Sequence, residues 1–270
     1  NDQVRLEVTA GILDPKLQII APVREWEFKS REEEIEYALK HRIPIDVTKK
    51  KVYSIDRNLW GISIEAGILE NLEQEPPEDA YIMTKSPTGT TTYPKYIEIS
   101  FTKGVPAKLD GKAMPLKEMI LTLNEIGGSY GIGRYDMVEN RLVGIKSREI
   151  YEAPAGTILY TAHKELEALT LDREVSHFKE TIALKYADLI YYGLWYSPLK
   201  EALDGFIDST QQKVTGTIKL RLHKGTCVAV SRTSPNSMYK MELATYGSED
   251  KFDQKLAKGF IEIWGMPYRR

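Results

Sequence analysis

The sequence is short of several things, and each shortage removes a class of protein. It holds one cysteine, Cys227, which excludes an internal disulfide and fits a reducing compartment, the cytoplasm. It holds no run near the roughly 20 apolar residues of a membrane span. Its longest apolar neighbourhood, YADLIYYGLWYSPL (186–199), is interrupted by Asp188, Gly193, Pro198 and tyrosine hydroxyls. Charge of one sign is lacking too. Lys plus Arg number 37 against 39 Asp plus Glu, a net charge of -2, which argues against bulk attraction to nucleic acid or to an anionic membrane. The four histidines, at 41, 163, 177 and 223, share no metal-ligand spacing, so no metal site is expected. Nor is an ATP-binding motif present. GSYGIGR (128–134) lacks the Gly-Lys-Ser/Thr ending of a phosphate loop and follows a helical pattern, not a strand, so it reads as a helix stop and turn. Cys227 falls in an alternating strand pattern, which makes it a small core thiol before it makes it a nucleophile.

What is present is ordinary globular material, 42% hydrophobic and 28% charged over 270 residues, enough for one large or two ordinary domains. LQIIAP (17–22) reads as a short buried strand ended by proline. Ser30 followed by Glu33 makes a capping box before REEEIEYALKH, with acids in the first turn and bases in the last. Pro44 closes that helix and IPIDV begins an extended segment. Between 71 and 95, proline, glycine and threonine mark irregular chain around a short strand, YIMTK. YIEISF and VPAKLD flank Lys103-Gly104 as a hairpin. PLKEMILTLNEIGG has helical spacing with Gly127-Gly128 as its stop. Residues 162–193 are mainly helical, Ser197-Pro198 starts another helix, and TGTIKLRLH-KG-TCVAVSR is the clearest hairpin. Strands and helices mix without a repeating βαβ rhythm, which predicts an α+β fold with a largely antiparallel sheet and packed helices.

Two polar stretches stand apart. NDQVR (1–5) sets an amide, a carboxylate, another amide and a guanidinium within five residues, and Arg5 is suited to clamping a carboxylate through paired hydrogen bonds. VENRLVGIKSREIYEAPAG (138–156) mixes Glu139, Asn140, Arg141, Lys146, Arg148 and Tyr151 with apolar steps. It is too apolar for a solvated loop and too polar for an ordinary strand. An ion-pair network in a subunit interface and a ligand site both explain it. A carboxylate pair, Asp136 with Glu139, is a further candidate if the two acids share a cleft.

Taken together, NDQVR (1–5), IAPVREWEF (20–28), IPIDVTKKKVYSIDRNLWGIS (43–63), EAGILE (65–70), LNEIGGSYGIGRYDMVENRLVGIKSREIYEAPAGTILY (123–160), LTLDRE (169–174), YADLIYYGLWYSP (186–198), VTGT (214–217) and GFIEI (259–263) resemble the argininosuccinate synthase family, in order and over nearly the whole chain. The resemblance implies an ATP-dependent ligase of arginine biosynthesis, with Mg2+ accompanying ATP. In that reaction citrulline is activated as citrullyl-AMP with release of pyrophosphate, and aspartate then displaces AMP. It implies that Asn1, Arg5, Ser54, Ser63, Glu139 and Tyr151 bind citrulline and that Asn1 and Asp2 bind aspartate. Asn1 is the one candidate here for the ATP site. No general base is implied, because adenylation rests on positioning and charge stabilisation.

The same resemblance divides the chain into residues 1–45, the tail end of an α/β nucleotide-binding domain, and 46–270, the synthetase domain. The family's phosphate loop is not in the sequence, and its long C-terminal oligomerisation segment is cut short, so the chain alone is expected to be inactive, with a homotetramer as the full-length assembly. A non-catalytic citrulline-binding or subunit-assembly module of the same fold is the alternative. Two positions depart from the family pattern. Gly61 stands where relatives usually have His, which is expected to loosen the serine loop. Glu149 stands where they usually have Gly, at a cost of about 1 kcal/mol if that backbone is left-handed.

Overall fold

A computed structural model describes residues 2–45 and 53–269; the extended segment expected to begin at IPIDV (43–47) runs out of them after Ile45. Two helices come first, α1 (Asp2–Leu13) and α2 (Arg31–Lys40). The Ser30 hydroxyl accepts the Glu33 amide at 3.3 Å, while the Glu33 carboxylate accepts the Lys29 amide at 2.7 Å. The capping residues therefore satisfy two amides that the first turn leaves open.

Two antiparallel sheets follow. The first has the order β1-β2-β7-β6, from β1 (Ser54–Arg57), β2 (Ile62–Glu65), β6 (Arg134–Asn140) and β7 (Lys146–Glu152). The second has the order β5-β4-β3-β8-β9, from β3 (Lys95–Thr102), β4 (Val105–Leu109), β5 (Lys112–Ala113), β8 (Gly216–His223) and β9 (Thr226–Thr233). Four longer helices complete the frame: α3 (Leu116–Ser129), α4 (Pro154–Thr170), α5 (Arg173–Tyr191) and α6 (Pro198–Gln211). The fold is thus α+β with antiparallel sheets. Both expected hairpins form, with Lys103-Gly104 and Lys224-Gly225 turning through positive φ.

The main core lies between the second sheet and the helices α3 and α4. Ile97, Ile99 and Phe101 of β3 alternate inward beside Ile218, Leu220 and Leu222 of β8, meeting Met119, Ile120 and Leu123 of α3 and Ile158, Ala162 and Leu166 of α4. A smaller core, Ile62, Ile64, Leu69, Ala80 and Ile150, lies against one face of the first sheet. That leaves the opposite face of the first sheet free for polar groups.

Three expectations are corrected. LQIIAP is no strand: residues 17–20 are exposed and pair with no strand among the described residues, because apolar content without a hydrogen-bonding neighbour does not make one. YIMTK is irregular as well. The amides of Ile82, Met83 and Thr84 point to the buried Glu152 carboxylate, at 2.7–3.2 Å, instead of to a strand. Gly127 and Gly128 do not stop α3, which runs on to Ser129. They sit inside it where neighbours approach closely: a Cβ on Gly127 would lie 2.8 Å from Pro154 Cβ, and one on Gly128 would lie 2.5 Å from the Met83 carbonyl oxygen. The stretch expected to be mainly helical after 162 is so, as two helices parted at Leu171–Asp172, where the Asp172 carboxylate caps the second by accepting the Val175 amide.

Candidate functional site

Strand pairing decides which side chains share the free face of the first sheet. Residues directly opposite one another in an antiparallel pair point to the same side, and alternate residues along a strand do too. Ser54 pairs with Glu65 and Asp56 with Ser63 across β1 and β2. Ser63 pairs with Tyr151 across β2 and β7. Tyr151 pairs with Tyr135, Glu149 with Met137 and Ser147 with Glu139 across β7 and β6. One face therefore carries Ser54, Ser63, Glu65, Glu139, Ser147, Glu149 and Tyr151, while Ile62, Ile64 and Ile150 point the other way into the small core.

Four expected ligands, Ser54, Ser63, Glu139 and Tyr151, thus stand on four different strands but one surface. Ser54 and Glu139 lie on the two outer strands, whose axes are about 14 Å apart at the usual strand spacing. Tyr151, on the strand next to that of Glu139, spans one strand spacing of that gap: its hydroxyl is 2.6 Å from Glu139 Oε2 and 2.9 Å from Glu149 Oε2. Burial, reinforced by these carboxylates, holds the Tyr151 phenol well above its ordinary value. Burial also raises Glu149, with the Glu139 and Glu65 charges adding to it and the Tyr151 hydrogen bond opposing. A cleft of about 440 Å³ opens at the edge of the sheet, lined by Glu65, Arg141, Lys146 and Ser147 among others, but not by Ser54, Ser63, Glu139, Glu149 or Tyr151. Arg141 reaches Glu65 at 3.3 Å.

The amino-terminal helix is tied to the same neighbourhood. The Arg5 guanidinium lies 5.3 Å from the centre of the Tyr191 ring, and the Tyr191 hydroxyl donates to the Asn140 carbonyl at 3.2 Å, next to Glu139. The Tyr191 phenol is raised by burial first and by the Glu139 charge second, while Arg5 lowers it. Gly193, at φ 73°, turns the chain after α5; a Cβ there would lie 2.8 Å from Arg5 Cα, and Thr9 donates to its carbonyl at 3.2 Å. Asp2 pairs with Arg5 and is exposed. Asn1 lies outside the described residues.

Several sequence readings change here. Asp136 and Glu139, three apart on one strand, point to opposite faces, so they form no carboxylate pair. Asp136 instead holds Arg148 through two hydrogen bonds of 2.8 and 2.7 Å, and Arg148 also donates to the Asn71 and Gln74 carbonyls. Glu149 is not among the residues with positive φ, so its backbone bears no cost. Gly61 does not loosen its loop. Its amide and that of Trp60 donate to Asn58 Oδ1, and a Cβ on it would lie 2.2 Å from the Glu152 carbonyl oxygen. Glu65 and Glu149 were missed as members of the site. Strand alternation from Ser63 and from Tyr151 is the signal that finds them, since each lies two residues away on the same strand.

A rigid sheet face bearing hydroxyls and carboxylates, with a guanidinium beside it, defines an α+β module for a small polar ligand. Its relatives narrow that class. Residues 53–270 match the family model described as the arginosuccinate synthase C-terminal domain, and residues 1–44 match the arginosuccinate synthase N-terminal HUP domain. The chain is 56% identical over 266 residues to the argininosuccinate synthase of Chlorobium phaeobacteroides, covering 98% of this chain and 66% of that protein. It is 58% identical over 267 residues to that of Oceanobacillus iheyensis, covering 99% and 64%. Against that of Carboxydothermus hydrogenoformans it is 54% identical over 269 residues, covering 100% and 67%. The chain spans about two thirds of the length of these curated relatives. It belongs to the argininosuccinate synthase family.

Proposed function

We propose that this chain carries the citrulline- and aspartate-binding part of an argininosuccinate synthase, an ATP-dependent ligase of arginine biosynthesis. In that reaction the citrulline ureido oxygen attacks the α-phosphorus of ATP and pyrophosphate leaves. The aspartate amine then adds to the activated carbon, AMP departs and the amine loses a proton. The observation that supports the reading best is the arrangement of Ser54, Ser63, Glu139 and Tyr151 on one sheet face, with Arg5 joined to it through Tyr191. In this reading Glu139, held by the Tyr151 hydroxyl, faces the citrulline ammonium, the serines donate hydrogen bonds to citrulline's oxygens, and Arg5 clamps its carboxylate. Asp2 and Asn1 serve aspartate.

Residues 1–45 are the end of a nucleotide-binding domain and 46–270 the synthetase domain; the separate family matches support this division. ATP is a substrate. Among the described residues no three His, Cys, Asp or Glu groups are placed to hold a metal ion, so Mg2+ is assigned to no residue and no step is routed through it. Also among them, no helix is long and apolar enough to cross a membrane. A cytoplasmic homotetramer completes the reading. The exposed Phe260, Ile261, Ile263 and Trp264 of the helix Lys255–Gly265 support an apolar assembly surface.

Calorimetric titration with citrulline, with and without ATP, tests the proposal. The chain is expected to bind citrulline, and Glu139→Gln is expected to weaken binding by about 1.5–3 kcal/mol, the worth of a charge-assisted hydrogen bond. Unaltered affinity removes Glu139 from its role. Pyrophosphate release by the chain alone would overturn the expectation that it is inactive by itself.

A further inference from the structure

The Tyr151 hydroxyl has one hydrogen and two carboxylate neighbours. Glu139 Oε2 and Glu149 Oε2 both lie within hydrogen-bond distance of it, at 2.6 and 2.9 Å. A phenol donates only once, so it serves one of these oxygens and must accept from the other. With both carboxylates ionised, the second contact would be between two lone pairs, in a half-buried place where such contacts are not screened. The trio is therefore one positive charge short. At pH values below the Glu149 titration a proton on Glu149 supplies that charge, donating to the phenol oxygen while the phenol donates to Glu139.

Among the described residues no Lys or Arg forms an ion pair with Glu139 or Glu149, and Lys146, the nearest lysine on the same strand, donates to Asn140 Oδ1. On its own strand Glu149 has Ser147, whose hydroxyl donates to Oε1 at 3.5 Å, and Tyr151. From β6 it faces Glu139 and from β2 Glu65, both acidic. The nearby guanidinium groups are engaged elsewhere, Arg141 with Glu65 and Arg5 with Asp2 and the Tyr191 ring. The direction of the Glu149 titration, raised by burial and by the Glu139 and Glu65 charges, agrees with this proton count.

We propose that Glu149 and Glu139, bridged by the Tyr151 hydroxyl, form a two-carboxylate receptor for the ammonium group of the amino-acid substrate, and that the arriving ammonium takes the place of a proton on Glu149. Glu149 is then a specificity-determining residue that admits a ligand bearing a primary ammonium and turns away one whose nitrogen is acylated. The exchange balances: one ammonium enters, one proton leaves to the buffer, and the charge on the polar sheet face is unchanged. This rests on the proposed citrulline reading and adds to it a residue and a proton linkage.

The sign follows from the order of events. Ligand binding favours ionised Glu149, so affinity is weakest at low pH, rises as pH climbs through the raised Glu149 titration, and is flat above it. The limiting slope is about tenfold per pH unit for one proton. Neither the carboxylate nor the ammonium of citrulline titrates across that window.

Calorimetry with citrulline in buffers of differing ionisation enthalpy, from about pH 5 to about pH 8, measures both the slope and the proton released. Wild type is expected to gain affinity with pH and to pass up to one proton to the buffer at the low end. Glu149→Gln keeps a donor for the phenol and removes the acid, so it should match wild type at the low end, show no slope and fall short at the high end by the amount wild type gained. Nα-acetylcitrulline should bind neither form. A wild type that binds citrulline with a pH-independent Kd and releases no proton overturns the receptor while leaving the citrulline reading intact. Folded wild type and variant that ignore citrulline at every pH, with and without ATP, overturn that reading and the receptor with it.

Discussion

The carboxylate of Glu152 accepts both the backbone amide and the hydroxyl of Thr84, at 2.7 and 2.5 Å. It is fully buried and also takes the amides of Ile82 and Met83. On the other side of Thr84, Arg134 donates to its hydroxyl oxygen at 2.6 Å and its carbonyl at 2.9 Å while spanning to Glu78. One acid next to Tyr151 thus replaces the strand partner that residues 82–84 lack. Glu152→Gln leaves an NH2 group facing donors, and a loss of about 2–4 kcal/mol is expected. Urea unfolding measures it; an unchanged midpoint would show that the amides are satisfied some other way.

Two glycines in helices should respond to alanine in opposite directions. Gly127 faces Pro154 and Ile158, where a Cβ would come within 2.9 Å of both. Gly127→Ala is expected to cost about 1–3 kcal/mol through overpacking of α3 on α4. Gly205, in α6, has nothing within 4 Å of an added Cβ, so Gly205→Ala should stabilise by about 0.5–1 kcal/mol. Thermal midpoints that move the same way for both would contradict the α3–α4 contact.

The Arg148 guanidinium, through its hydrogen bonds to Asp136, holds that carboxyl below its usual range. A carboxyl lowered in the folded state contributes stability that is fully present above its unfolded value, about 4, and is lost as pH falls through the lowered one. Asp136→Asn should therefore be less stable than wild type near neutrality, with the difference shrinking on acidification. Chemical denaturation at a series of pH values gives the difference directly, and one that grows as pH falls would reverse the assignment.

Ser63 faces Tyr151 across β2 and β7 and makes no hydrogen bond to another described residue through its hydroxyl. Ser63→Ala is expected to leave the unfolding midpoint in place and to weaken citrulline binding by about 1 kcal/mol. A variant with full affinity would exclude this serine from the ligand set.

Burial pushes the Cys227 thiol up to about 11, with the Thr161 hydrogen bond opposing. Alkylation of the native chain at pH 8 should be much slower than after unfolding, with a rate that climbs steadily toward pH 11. Equal rates in the two states would contradict a core thiol.

Where a local rule decides the outcome, the chain was readable without its fold. Ser30 and Glu33 cap α2, Lys103-Gly104 and Lys224-Gly225 turn their hairpins, and Ser197-Pro198 opens α6, because each depends on groups within a few residues. Failures came where distant chain intervened. YIMTK has the composition of a strand, but Glu152, some seventy residues on, captured its amides. Gly127 and Gly128 have the look of a stop, yet they are the flat side of a helix against which Pro154 and the Met83 carbonyl pack.

The site divides the same way. Residue types, their order and the family they belong to were settled by the amino-acid sequence, since these are properties of the chain read in one dimension. Which groups share a surface was settled by register: pairing Ser63 with Tyr151 sends Glu65 and Glu149 to the polar face and Asp136 to the other. Register depends on the burial of Ile62, Ile64 and Ile150 beneath the sheet. A slip of one residue would turn every one of these side chains over, and only the packed core selects against it.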